Sequence, residues 1–297
     1  MSTSDRDQSS FGSSTSNMTR SFSSPRSLFG IVMTILAGAC LVIALIPLFA
    51  VLIYVIVQGA SRLNLDLFTK LPPPPGLKGG GVGNAIIGTL ITVGIGTLIS
   101  LPFGVFAAVY LSEFSSGKIS RWIRFATNVL AGVPSIIAGV FAYGTVVLVT
   151  GGFSAVAGGV ALAILMLPTI VRTTDEALQI VPQEVRWASV GVGASNYQTV
   201  LRVVLPAATS AIITGVVLAI ARAAGETAPL IFTALNSPFW SHGIWSPTPS
   251  LSVLIYNFAS VPYKPLQELA WASSLILVFL ILMTSVLARW ATRKSVY

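Results

Sequence analysis

Two ionisable residues stand where a charge is costly. Arg222 and Glu226 fall inside the otherwise uncharged apolar stretch from Ala207 to Leu235, in the order Ala221-Arg222-Ala223-Ala224-Gly225-Glu226-Thr227-Ala228-Pro229. On a helix, positions i and i+4 share a face, so this spacing predicts that the two side chains pair. A charge in mid-bilayer costs about 2.5–3.5 kcal/mol on insertion scales, and such residues face a bundle interior or a watery path. Arginine keeps its proton and offers five N–H donors, chemistry suited to holding an oxyanion. Gly225 and Pro229 loosen the helix beside the pair and free backbone groups there. The plainer alternative is a pair that neutralises itself and locks helix packing. Ala211, Gly215, Ala219 and Ala223 form a small-residue stripe on the same stretch, which predicts close helix contact.

A second feature is the polar segment of 35 residues from Arg172 to Pro206. Its mixed charges, punctuated by Pro182, Gly191 and Gly193, predict short helices that offer a docking surface to a partner. A solvated loop is the alternative. Other chemistries lack material. One His (His242) and one Cys (Cys40) exclude a two-His metal centre and a disulfide framework. The Gly117-Lys118 pair has Ser112 and Ile119 where a phosphate loop needs Gly and Ser or Thr, so the chain is not expected to be an enzyme by itself.

The elements that hold these residues follow from composition. Charged residues make up 9% of the 297, hydrophobic residues 54%, and mean hydropathy is +0.85. A soluble domain carries about 25% charged residues, so lipid must be the main solvent here. Six runs reach the length of a membrane crossing: Leu28 to Ala60, Ala85 to Leu111, Phe125 to Thr150, Phe153 to Val171, Ala207 to Leu235 and Leu269 to Ala288. The first is too long for the core of a cleaved signal, so it is expected to be retained. Of seventeen Lys and Arg, twelve lie in the two termini and the loops after the second and fourth runs. Four (Arg62, Lys70, Lys78 and Lys264) lie in the alternate loops, and Arg222 lies within a run. The positive-inside rule then predicts both termini in the cytoplasm, and the net charge of +8 reports topology rather than nucleic-acid binding.

Residues 1–27, with eleven Ser, read as a disordered cytoplasmic tail, and residues 28–297 as one all-α polytopic membrane domain whose cytoplasmic loop is 172–206. Leu251 to Phe258 is expected either as a short amphipathic helix on the outer rim or as plain loop. Arg172, at the end of the fourth run, suits either the path of an anion or an ordinary anchor at the membrane surface.

The loop residues carry a resemblance. Trp187-Ala188-Ser189, then Gly193, then Val203-Val204-Leu205-Pro206 match the spacing of the permease signature of bacterial ABC importers, E-A-A, three residues, G, nine residues, I-x-L-P. Trp187 replaces the Glu and Ser189 the second Ala, and Glu184 stands one turn earlier. The resemblance implies a coupling helix that inserts into a groove of an ATPase subunit. Gly80 to Leu90, Leu167 to Leu178, Ala221 to Thr233, Ala234-Leu235-Asn236 and Phe239-Trp240 resemble the PstA-type permeases of phosphate-uptake ABC transporters. That resemblance runs from about residue 28 to the C-terminus. It implies six spans of the type I importer kind in a heterodimer with a PstC-type permease. It also implies a PstB-type ATPase dimer holding the ATP and Mg, a PstS-type phosphate-binding protein outside, and no cofactor on this chain. Arg172, Arg222 and Glu226 match family positions implicated in phosphate passage. Rival readings are a permease for another oxyanion such as sulfate or molybdate, an ion-driven secondary transporter, and a membrane signalling protein.

Overall fold

A computed structural model describes residues 25–115 and 117–293, so all but the last three residues of the Ser-rich segment lie outside the described residues. The chain divides into two units, one ending at Ile53 and the other beginning at Tyr54. The first holds most of α1 (Pro25–Ala60), a helix with Pro47 inside it and long and apolar enough to cross a membrane.

The second unit continues with α2 (Leu65–Thr69) and α3 (Gly83–Val109), the latter prolonged by a π-wound turn, Tyr110–Phe114. Next come α4 (Lys118–Ala131), α5 (Ser135–Ala142), a second π turn (Tyr143–Val147) and α6 (Leu148–Thr150). After α7 (Ala155–Ile180) stand α8 (Gln183–Gly191), α9 (Asn196–Thr199) and a third π turn, Val200–Val204. The chain closes with α10 (Leu205–Ala224), α11 (Ala228–Ile231), α12 (Leu251–Ala259) and α13 (Lys264–Arg293). Among the described residues all regular structure is helical.

Five stretches are long and apolar enough to span: Leu28–Ala60, Gly83–Phe114, Ala155–Ile180, Asn196–Ala224 and Lys264–Trp290. The expected span Phe125 to Thr150 is instead a bent pair, Lys118–Ala131 and Ser135–Thr150, meeting at 100°. Gly132 caps the first arm and Pro134, at φ −56° and ψ 135°, stands outside the helix ahead of the second, so the chain turns there. Counted as one crossing, the pair makes six. Gly151, at φ +76°, closes the second arm in the left-handed conformation that glycine adopts freely. The expected span Ala207 to Leu235 is also corrected: α10 stops at Ala224, and beyond it only the single turn α11 is helical.

The core is built on α7. It runs parallel to α3 at a constant offset of 66 residues: Gly96 meets Leu162, Ser100 meets Met166 and Gly104 meets Ile170. Pro102 and Pro168 share the same offset, so both helices lose a backbone hydrogen bond at one level. On the other side Gly215 of α10 sits on Thr173 of α7, where a Cβ would come 2.2 Å from the Thr173 hydroxyl. The small-residue stripe is thus a packing seam: Gly215, Ala219 and Ala223 are buried, although Ala211 is exposed.

Buried hydroxyls return to their own helices, Thr92 to Gly88 O, Ser100 to Gly96 O and Ser273 to Leu269 O, each at 2.7–2.8 Å. Without water in the core a hydroxyl without such a partner is costly, and Thr174 Oγ1 is one that stays buried and unpartnered. Thr89 Oγ1 accepts the Leu251 N–H at 2.8 Å and fixes the start of α12. That helix forms, but Leu251 to Leu254 are buried, so it folds into the bundle instead of lying on the rim.

A Cβ at Gly88 would lie 1.9 Å from the Pro249 carbonyl oxygen, whereas at Gly94 nothing stands within 4 Å. Gly88→Ala is expected to cost about 1–3 kcal/mol through forced backbone shifts. Gly94→Ala should be neutral or gain up to about 1 kcal/mol of helix propensity. Melting midpoints of the detergent-purified variants check both.

Candidate functional site

Arg222 lies in the last turn of α10, and Glu226 lies beyond the helix, after the Gly225 cap. The expectation of one continuous helical face is therefore corrected, although the two side chains still approach. Arg222 Nε stands 3.8 Å from Glu226 Oε1, outside hydrogen-bonding distance. The Arg222 side chain is 64% exposed and that of Glu226 only 18%. The cation thus points away from its own subunit while the carboxylate is held inward. Ser252 Oγ donates to the Glu226 carbonyl at 2.8 Å and ties the break to α12. A cation in the final turn also meets the negative end of the helix dipole.

Depth follows from the seam. Gly215 is level with Thr173, and Arg222 lies seven residues further along α10. At about 1.5 Å per residue this is roughly 10 Å, which brings Arg222 level with the middle of α7. Arg172, beside Thr173, stands that same distance nearer the α8 end. The structure therefore does not join Arg172 and Arg222 in one pocket.

Arg172 also lies two turns before the end of α7, which continues to Ile180, so the 172–206 segment becomes non-helical only after that point. Its Nε donates to Glu176 Oε1 at 2.9 Å, and its side chain is 67% exposed. Both residues line a cavity of about 580 Å³ together with Arg124, Asn128, Asp175 and Gln179. Arg124 of α4 grips Asp175 of α7 with two N–H groups, closing one wall. The cavity therefore carries two cations, each beside a carboxylate.

The segment after α7 is compact. Gly193 takes φ +92°, a left-handed turn between α8 and α9 that disfavours a side chain. Ser195 and Gln198 cap α9 reciprocally, the Ser195 N–H donating to Gln198 Oε1 at 2.9 Å. Ser189 and Thr199 share a hydroxyl hydrogen bond of 2.9 Å, Leu205 packs partly buried, and Pro206 sits in the first turn of α10. On α8 Trp187 is 68% exposed, flanked by exposed Ala188, Val190 and Glu184.

Sequence reasoning counted Arg186 as one more loop cation and missed its role. Its Nη2 donates to Glu113 Oε1 and to Leu178 O, both at 2.8 Å, and its Nη1 donates to Val181 O. The side chains of Arg186 and Glu113 are 12% and 9% exposed. One guanidinium thus binds α8 to the end of α7 and to the π turn after α3. No local pattern announces this partnership, because 73 residues separate the pair.

Residues 100–296 match the family described as binding-protein-dependent transport system inner membrane component. The chain is 42% identical over 234 residues to the phosphate transport system permease protein PstA of Xylella fastidiosa (strain 9a5c), covering 78% of this chain and 81% of that one. To the protein of the same description from Haemophilus influenzae it is 42% identical over 251 residues, 84% and 88% of the two chains. Its fold is similar to a chain of a bacterial alginate ABC transporter solved in complex with a pentasaccharide-bound periplasmic protein. That likeness has TM-score 0.65 at 14% identity and covers 89% of this chain and 94% of that one.

Arg186→Ala strands a buried carboxylate and is expected to destabilise the protein by about 3–5 kcal/mol. Arg172→Gln removes only an exposed i,i+4 pair and is expected to change stability by less than about 1 kcal/mol. Thermal melting and limited proteolysis of the 181–204 segment should separate the two.

Proposed function

We propose how transport works in a chain that belongs to the PstA phosphate transport permeases, within the binding-protein-dependent inner membrane component family. It is the permease subunit of a phosphate ABC importer, a multi-pass protein of the inner membrane. Residues 28–297 act as the permease domain, with the 1–27 tail, the α8 end and the C-terminus in the cytoplasm. The twelve-to-four split of basic residues supports that orientation.

Arg222 carries the reading of the site. A permanent cation at mid-depth, 64% exposed on its own subunit, is not tolerated against lipid. Its exposed side therefore faces the translocation path, closed on the far side by a second, PstC-type permease. Phosphate released by a PstS-type binding protein exchanges part of its hydration for guanidinium N–H donors. Glu226, held close but not hydrogen-bonded, keeps that grip weak, as conduction requires both entry and exit. Arg172 with Glu176, roughly 10 Å nearer the cytoplasm, receives the anion next.

ATP and Mg belong to a PstB-type ATPase dimer, and this chain needs no cofactor of its own. The exposed face of α8 around Trp187 inserts into the ATPase, with Glu184 as its acidic contact. Ala188, Ser189, Gly193, Leu205 and Pro206 shape the segment rather than touch solute. ATP-driven movement of α8 passes to α3 and α7 through Arg186, and to α10 through the Val200–Val204 turn, which switches access from one side to the other.

Arg222→Gln is expected to lower phosphate uptake at least tenfold in cells while the purified complex still hydrolyses ATP; unchanged uptake overturns the assignment. Trp187→Ala removes an exposed aromatic anchor and should weaken ATPase co-purification at least fivefold, since such anchors contribute more than about 1 kcal/mol. Melting of the isolated subunit should not change.

A further inference from the structure

The inner side of α4 is committed. Ser120 is buried, Ile123 packs on Ala108, Leu111 and Val171, and Arg124 is bound by Asp175. Its outer side presents Lys118, Arg121, Trp122 and Phe125, at i, i+3, i+4 and i+7, lining a cavity of about 510 Å³. All four are exposed, and the two rings meet edge to face at 5.9 Å. Among the described residues neither Lys118 nor Arg121 forms an ion pair, although Arg124, one turn on, does. Among the described residues the Arg121 side chain makes a single, long hydrogen bond, from Nε to Gly117 O at 3.4 Å.

The depth of this face identifies what it meets. Ile123 and Arg124 reach α7 at Val171 and Asp175, 16 and 20 residues below its start at Ala155. At about 1.5 Å per residue that is roughly 24–30 Å, close to the hydrocarbon thickness of a bilayer. The 100° bend lays α4 across the direction of the arm that follows it, and at that depth such a helix runs along the boundary between headgroups and acyl chains. A boundary helix with cations at one end of its outer face and exposed aromatics beside them fits an anionic membrane surface.

We propose that the outer face of α4 binds the headgroup of an anionic membrane lipid. The phosphodiester accepts from Lys118 Nζ and the Arg121 guanidinium. Trp122 and Phe125 lie against the glycerol and upper acyl region, with exposed Val129 continuing the apolar strip deeper. The inference concerns the membrane and not the transported solute, and it requires only that α4 lie at a bilayer surface.

Native mass spectrometry of the purified full-length protein, titrated with phosphatidylglycerol or phosphatidylcholine, provides the test. The unsubstituted protein should retain phosphatidylglycerol selectively. Lys118→Gln with Arg121→Gln should weaken that retention roughly thirtyfold, from about 1 kcal/mol per surface cation. Lys118→Arg with Arg121→Lys should preserve it, as should Lys70→Gln with Lys78→Gln in the loop before α3. Equal retention by the Lys118→Gln/Arg121→Gln protein overturns the proposal. So does displacement of the lipid by millimolar inorganic phosphate, which makes the site one for a free anion. Loss of the lipid on assembly with the second permease assigns the face to a protein interface and overturns it as well.

Discussion

Charge inside a low-dielectric slab is tolerable only when it is answered nearby, and that constraint organises the molecule. Seven acidic residues fall among the described residues, and six of them are in ion pairs. The seventh, Glu184, stands exposed on α8, the helix proposed to dock on the ATPase. Carboxylates are so scarce that each pair marks a place where two elements are joined or where a cation is restrained. The carboxylate left over is on the surface where a partner is proposed to supply the opposite charge.

The pairs divide by what they connect. Arg186–Glu113 and Arg124–Asp175 join different helices, and each buries at least its carboxylate. Removing one partner of such a pair strands the other in a poor solvent, so these pairs fix geometry. Arg172–Glu176 and Arg222–Glu226 join neighbours four residues apart and leave their guanidinium groups largely exposed. Pairs of that kind contribute little to stability. Their cations remain available, which is what a passing anion needs. The contrast between the structural arginines and those proposed to meet solute therefore rests on connectivity and exposure, without any difference in residue type.

Much of this was legible in the sequence, but unevenly. The apolar runs located the five long spans, because about 20 apolar residues have few other uses. Span ends were harder to read. Hydropathy sees no difference between Ala224 and Leu230, yet Gly225 ends α10 and places Glu226 outside the helix. Pro134 was in plain view, but a proline inside an apolar run can kink, end or merely sit in a helix, and only packing selects the 100° bend. The partners of Arg186 and Arg124 were illegible in principle, being 73 and 51 residues away. Arg222 stood out for the opposite reason. Its conspicuousness depends on local sequence alone, a single cation in a stretch that otherwise excludes them.

The break after Arg222 connects these observations. Beyond it the chain is fastened to the side away from α8: Ser154 N–H donates to Thr233 O, Thr248 N–H to Ala234 O, and Pro229 packs on Gly139. Before it, α10 is an unbroken helix of 20 residues leading back to the π turn that adjoins α9. Its buried side holds Ile212 and Val216 beside the small Gly215, Ala219 and Ala223, and it meets α7 closely where Gly215 sits on Thr173. In the proposed cycle α10 acts as a lever, driven at one end and carrying Arg222 at the other. A continuous helix through residue 235 would transmit any displacement into the anchored outer segment. Because the helix is interrupted at Gly225, Arg222 can move while Glu226, tied to α12 through Ser252, stays in place. Their 3.8 Å separation is then the adjustable quantity: a small retreat of the cation strips away its carboxylate and strengthens its hold on an anion, and a small advance weakens it.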